Sequence, residues 1–448
     1  MKMRTKLILS LLVIFSLQIN AQENNKKCIT TQLVENELEN NIEYILMREN
    51  LIDYQKENKK NNYQKQQIIT IPVVIHVVHR TQDMVGNNTN ISNLQIEDQL
   101  RVLNEDFSKT NPEFPNPPRN TFQNYAGNPN IKFCLATTNP EGNPTTGITR
   151  TPTSKTSWDA DDADEKNYMK LSTQGGINNW DPLKYLNIWV CNLSNSSGGG
   201  QTLGYAYLPG IQASSTHSWK DGLVVDYKFF GTTGNVNNSS DGRTATHEIG
   251  HYLGLSHTFC ESGGCCDNDE WNVNDTPASD GIYFGNVNTS TNNNTCNDLA
   301  YSNVFNTDVL DMDENYMSYA SNTWMFSNSQ ATAMLNVLNA QTWQGGRVEL
   351  KNSTISVNCT GIIGTVGVNE YQLENINIYP NPSLATLHIA SQTKINTLSI
   401  SNIIGEQILF IEDFNANTID LSSFENGVYF INISTYKGTH IEKIILTK

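Results

Sequence analysis

Residues 247–257 read His247-Glu248-Ile249-Gly250-His251-Tyr252-Leu253-Gly254-Leu255-Ser256-His257, and each fixed position has its own physical job. An α-helix turns about 100° per residue, so His247 and His251 project from one face, one turn apart. Two imidazoles so placed can both reach a Zn²⁺ ion at about 2.0–2.1 Å. Glu248 stands beside the first of them, placed to reach a water on the metal without being a ligand itself. Gly254 accepts the left-handed backbone that ends a helix without a Cβ penalty. The chain then turns back and brings His257 as a third nitrogen. Three protein ligands plus an open position describe a catalytic zinc, whereas a structural zinc is closed by four.

The rest of the chain bounds this reading. It has 448 residues, with 29 Lys and Arg against 45 Asp and Glu, a net charge of -16. That balance argues against a nucleic-acid partner, which needs a basic footprint. It suits a solvated acidic surface. Lys2, Arg4 and Lys6, the apolar run Leu7 to Leu17 and the small Ala21 have the pattern of an export signal cut after Ala21. The run is too short to span a bilayer, so a soluble, secreted or surface-displayed protein without a transmembrane segment is expected. Eight cysteines in an exported chain suggest disulfides. Cys260, Cys265, Cys266 and Cys296 would form two bridges or, as the alternative, a structural zinc site. Cys134 and Cys191 are either buried thiols or a bridge, and sequence leaves the pairing open.

Five segments are expected: a signal peptide at 1–21, a polar leader at 22–68, a first domain at 69–358, a linker at 359–370 and a last domain at 371–448. The leader carries a helix-favouring stretch around Leu33 to Lys60, and a maturation cut is expected near Gln66–Ile69. The β-branched run Ile68 to Val78 reads as a buried strand. A helix follows around Ser92–Phe107, then strands at Ile131–Ala136, Tyr185–Asn192 and Leu223–Tyr227. The histidine helix starts near Arg243, and a last helix covers Ser327–Leu338. Strands, helix and loops of this kind make an α+β domain. Residues 371–448 change to short strands separated by turn residues, which implies a small all-β sandwich.

With these residues in hand, the chain from about Ile69 to Leu338 resembles the pappalysin family of metzincins, in its ulilysin-like branch. The stretches that carry the likeness include Thr70–Val78, Gly204–Pro209, Gly242–Thr258 and Asn315-Tyr316-Met317-Ser318-Tyr319. The resemblance implies a zinc endopeptidase acting on proteins or peptides, with Glu248 as general base. Met317 would form an apolar floor beneath the histidines, and Tyr319 would stabilise the oxyanion. The substrate would pair with the edge of an extended strand near Leu203–Tyr207. It also implies calcium near the third histidine, with Asp269, Asp275 and Thr276 in or beside its site. Lys27-Cys28-Ile29-Thr30 is similar to the family's inhibitory leader motif, although it lacks the glycine, and implies that Cys28 caps the zinc in a zymogen. Ala320-Ser321-Asn322 lacks the acid often found there in relatives. Residues 371–448 resemble a type IX secretion sorting domain, through Ile378-Tyr379-Pro380-Asn381-Pro382-Ser383 and Asn426-Gly427-Val428-Tyr429, with the secretion machinery as partner. A substrate-binding sandwich is the alternative for this segment. The alternative for the whole chain is a silent adhesin on a protease fold.

Overall fold

The computed structural model describes residues 28–58, 68–197, 200–261, 266, 273–301, 304–360, 376–391, 394–402, 407–435 and 438–448. The expected signal peptide, Cys265, Asp269, most of the expected linker and the junction just before Ile68 lie outside the described residues. The chain divides into two compact units, Met1–Gly364 and Thr365–Lys448.

The leader forms two helices, α1 (Thr30–Asn40) and α2 (Ile42–Glu57), where the sequence suggested one continuous stretch. Asn41 takes an extended backbone between them, and its side chain accepts from the Tyr44 amide, so one residue stops the first helix and caps the second. The spine of the unit is β1 (Ile69–Arg80), buried along almost its whole length. Then come α3 (Asn93–Asp106), capped by Ser92, and the strands β2 (Ile131–Ala136), β3 (Ile148–Thr153), β4 (Trp158–Asp159), β5 (Leu186–Cys191), β6 (Leu193–Ser194), β7 (Gly204–Ala206) and β8 (Leu223–Asp226). Helix α4 (Arg243–Tyr252) carries the first two histidines. Beyond it lie α5 (Asp298–Tyr301), α6 (Asn328–Asn339), α7 (Val348–Lys351) and β9 (Val357–Asn358).

The main sheet runs in the order β7-β8-β5-β1-β2-β9, with β3 also paired to β1. β1, β2, β3, β5 and β8 are parallel, and only the outer strands β7 and β9 run antiparallel to their neighbours. Parallel strands need cover on both faces, which explains the continuous Val and Ile content of β1. One face packs on α3 and α4 through Leu100, Leu103, Ala245, Ile249 and Met317. Burying a side chain such as Ile249 contributes roughly 1.5–3 kcal/mol. The other face meets Trp158, Trp189, Tyr205 and the leader residues Ile29, Leu33 and Tyr44. The leader is therefore part of the folded unit. Strand β3 escaped the sequence reading because Ile148–Thr153 carries arginine, threonine and proline without alternation.

The second unit is all β, as expected. A three-stranded sheet of β10 (Asn377–Tyr379), β11 (Thr386–Ala390) and β14 (Thr418–Asp420) shares one apolar core with a four-stranded sheet of β13 (Gln407–Glu412), β12 (Ile395–Asn402), β15 (Gly427–Thr435) and β16 (Gly438–Leu446). The two strands missed from sequence, β10 and β14, have three residues each.

Two disulfides decide questions that spacing left open. Cys266 is bonded to Cys296, which favours bridges over a structural zinc, and Cys134 is bonded to Cys359, 225 residues away. Cys191 is a buried free thiol. Cys359, placed at the start of a linker by sequence, is thus tied to the core beside β9. A cross-link closing so long a loop restricts the unfolded chain strongly. Replacing Cys134 and Cys359 with serine is expected to lower stability by about 2–4 kcal/mol. Denaturant midpoints of the two proteins measure this, and equal midpoints would show that the bridge carries no such constraint.

Candidate metal centre

Helix α4 starts at Gly242, whose φ of 75° is left-handed, while the Asp241 side chain accepts from the Arg243 amide. It ends as the sequence required: Gly254 has φ 96°, its amide bonds the His251 carbonyl at 2.8 Å, and the Leu255 amide bonds the Gly250 carbonyl at 2.9 Å. The reversal brings His257 over the other two rings. The three Nε2 atoms form a nearly equilateral triangle, 3.1 Å from His247 to His257, 3.2 Å from His247 to His251 and 3.2 Å from His251 to His257.

The opposite ring nitrogens explain what this triangle is. His247 Nδ1 lies 2.7 Å from the Tyr316 carbonyl, and His251 Nδ1 lies 2.7 Å from the Leu255 carbonyl. A carbonyl only accepts, so both Nδ1 atoms carry the proton and both Nε2 atoms present lone pairs. Burial, then the neighbouring His257 and His247, push His251 well below the ordinary histidine range, so it stays neutral. His257 Nδ1 is held by Glu261 Oε1 at 2.5 Å. Three lone pairs converging repel one another unless a cation lies between them. Tetrahedral bonds of about 2.0–2.1 Å place their donor nitrogens about 3.3 Å apart, close to the spacing seen, so these residues fit zinc.

Glu248 is buried one residue after His247, and burial pushes its carboxyl up to about 8. Gly204 of β7 makes room for it: a Cβ there would stand 3.1 Å from Glu248 Cγ and 2.9 Å from the Val224 carbonyl. Met317 lies fully buried beneath the helix, and a Cβ on Gly250 would approach its sulfur to 2.3 Å. The Tyr319 ring centroid lies 5.1 Å from that of His257 and 5.7 Å from that of His247.

Cys28 occupies the open side. Its sulfur and the three histidine nitrogens all lie within 4.8 Å of one another. Residue 28 pairs in parallel with Gly204, so the leader runs along the β7 edge. The sulfur lies 3.4 Å from Glu248 Oε2, and the Tyr319 hydroxyl donates to the Cys28 carbonyl at 3.4 Å. Thr30 accepts from the Ala206 amide at 3.0 Å. Burial and then the charge of Glu248 push the Cys28 thiol up. A divalent cation held among the nitrogens would invert that preference and favour the thiolate.

Of the residues expected to bind calcium, Asp275 and Thr276 are described, and both already have protein partners. Asp275 accepts from the Ser327 hydroxyl at 2.5 Å and the Ser329 amide at 2.9 Å, and so braces the start of α6. The Thr276 hydroxyl donates to the Val273 carbonyl at 3.2 Å. A cavity of about 160 Å³ runs from Cys28 past Glu248 to Tyr319, and Asp241, Arg243, Ala320 and Ser321 line it. The stretch after Met317 thus adds no carboxylate, and Asp241 does.

Sequence reading missed groups that hold the three imidazole rings. Glu261 is one, although its spacing four residues after His257 was a usable signal. Asp106 is another. Its carboxylate accepts from the Tyr316 hydroxyl at 2.6 Å and from the Thr246 hydroxyl at 2.7 Å, beside Arg243. It thereby fixes the residue whose carbonyl orients His247, across 210 positions that no local pattern spans.

Among solved structures, mature mirolysin of Tannerella forsythia in complex with a cleaved peptide is similar, with a TM-score of 0.53 and 37% identity over 64% of this chain and 97% of that one. A promirolysin mutant from the same organism gives 0.58 and 33% identity, over 73% of this chain and 97% of that one. The family profile described as Pregnancy-associated plasma protein-A matches residues 172–339. The chain belongs to the pappalysin family. Residues 377–447 match the profile of a Secretion system C-terminal sorting domain. An extracellular metalloprotease of Arthroderma benhamiae is 29% identical over 212 residues, and one of Trichophyton verrucosum is 30% identical over 212. The match spans 47% of this chain and 59% of each of those proteins. Within the described residues no helix is long and apolar enough to cross a membrane.

The close contact under α4 yields a test within this pappalysin fold. Gly250→Ala gains about 1 kcal/mol of helix propensity, but overpacking against Met317 costs about 1–3 kcal/mol. A lower melting temperature is expected, together with non-additivity between Gly250→Ala and Met317→Ala. Additive shifts would show that the two residues do not meet.

Proposed function

We propose that this chain is a secreted zinc endopeptidase that hydrolyses peptide bonds in proteins and is made in a latent form. The observation that carries the reading is the triangle of three imidazole Nε2 nitrogens beside the buried Glu248. Zinc, when held by His247, His251 and His257, supplies Lewis acidity to the scissile carbonyl and the attacking water. Glu248 takes the proton of that water and delivers it to the leaving amine. Tyr319 donates to the carbonyl oxygen as negative charge gathers there, a role worth roughly 2–4 kcal/mol at the barrier. The hydroxyl already addresses a backbone carbonyl, that of Cys28, which supports the assignment. The β7 edge would align the substrate backbone as an added strand, as it aligns the leader.

In the latent form Cys28 supplies the fourth ligand and its backbone fills the cleft. Residues 377–447 would direct the chain to a type IX secretion system, in line with the sorting-domain match. Calcium held through Asp269, Asp275 and Thr276 is a separate proposal supported by family likeness alone. Asp275 would have to exchange its serine partners for the ion, and a calcium titration of melting temperature tests it; no shift would remove the proposal.

Digestion of casein by the processed protein, with and without a zinc chelator, checks the activity. Glu248→Gln is expected to retain zinc and lose about 10²–10⁴-fold in turnover. Full activity in that variant removes the general base. Tyr319→Phe is expected to lower turnover by roughly 30–1,000-fold at unchanged zinc content. Cys28→Ala in the uncut chain is expected to raise activity, and no change would count against the cap.

A further inference from the structure

The leader is held at a second place that shares no residue with the histidine cluster. Tyr44, Arg48, Leu51 and Gln55 of α2 are buried, and their positions i, i+4, i+7 and i+11 form one helix face. The opposite face exposes Ile42 and Leu46. The receiving surface is floored by glycine. A Cβ on Gly345 would stand 2.5 Å from the Met47 carbonyl oxygen, and one on Gly210 would stand 3.2 Å from Met47 Cβ. Any other residue at Gly345 would push the helix backbone out. Further along, Leu51 packs on Val337 and Ala340. Gln55 donates to the Ala333 carbonyl at 3.0 Å and accepts from the Asn336 amide at 2.9 Å. A buried amide with both ends satisfied specifies register as well as affinity.

The two anchors rely on different physics. Cys28 depends on the histidine site and on pairing with β7, whereas α2 depends on shape, apolar burial and the Gln55 amide. Both lie on the same stretch, 28–58, ahead of the core strand β1. Linked sites raise each other's effective concentration, so either anchor keeps the other in place. We propose that the glycine-floored groove is an independent binding site for the helix Ile42–Glu57. A cut between α2 and β1 then leaves the leader bound and the cleft blocked until the leader itself is broken. The consequence for latency rests on the protease reading, while the binding site does not.

The test uses the full chain carrying Glu248→Gln, with a recognition site for a sequence-specific protease replacing residues 59–66. After the cut, gel filtration at micromolar concentration reports whether the leader travels with the rest. The leader is expected to co-elute, and to do so still when Cys28→Ala is added. Adding Leu51→Asp to Cys28→Ala is expected to release it. A fluorescent peptide spanning residues 41–58 is expected to bind the released core, and Gln55→Ala in that peptide to weaken binding at least ten-fold. Release by Cys28→Ala alone, or equal binding of the wild-type and Gln55→Ala peptides, would overturn the second anchor. Because the chain is inert, these outcomes do not depend on whether it hydrolyses protein.

Discussion

Three imidazole nitrogens held about a hydrogen-bond length apart, all presenting lone pairs, are the constraint on which the rest of this structure depends. Such an arrangement is unfavourable in itself. It is enforced from behind by the carbonyls of Tyr316 and Leu255 and the carboxylate of Glu261, which fix tautomer and ring orientation together. A bound cation would turn the repulsion into attraction, and the same ion would favour Cys28 as a thiolate in a place where burial alone disfavours it. On the proposed reading, metal site and latent state would be two consequences of one electrostatic arrangement.

The fold pays for that arrangement with buried polar networks at each end of α4. At the start, Asp106 joins the end of α3 to Thr246 and Tyr316, and burial pushes its carboxyl up to about 6 despite the Arg243 charge. At the end, Arg347 donates to the Tyr252 carbonyl at 3.0 Å and pairs with both oxygens of Asp221, with neither side chain exposed. Removing one partner of such a pair leaves a buried charge, a loss of about 3–5 kcal/mol. These networks fix the helix between the sheet and the turn around Met317 more tightly than apolar packing alone would.

What was legible in the sequence follows from the range over which a signal acts. The spacing of His247, Glu248, His251, Gly254 and His257 is local and each position has a separate cause, so a cluster of these side chains at a helix end was readable. The buried strands were readable where β-branched residues run together, as in β1, and unreadable in β3, where neighbouring strands supply the pattern. Asp106 and Arg347 act on partners 95 to 210 positions away, and no periodicity in a single chain connects them. The docking of α2 was invisible for another reason. Its groove depends on Gly210 and Gly345 as gaps, and a missing side chain in one sequence gives no sign of what fills it.

X-ray absorption at the zinc edge of the uncut chain tests the central claim most directly. The account predicts one zinc per chain, with three nitrogen neighbours at about 2.0–2.1 Å and one sulfur at about 2.3 Å, and with the sulfur lost when Cys28 is replaced. A folded chain that binds no zinc, or one whose zinc has a sulfur-rich shell that persists in the Cys28 variant, would contradict it.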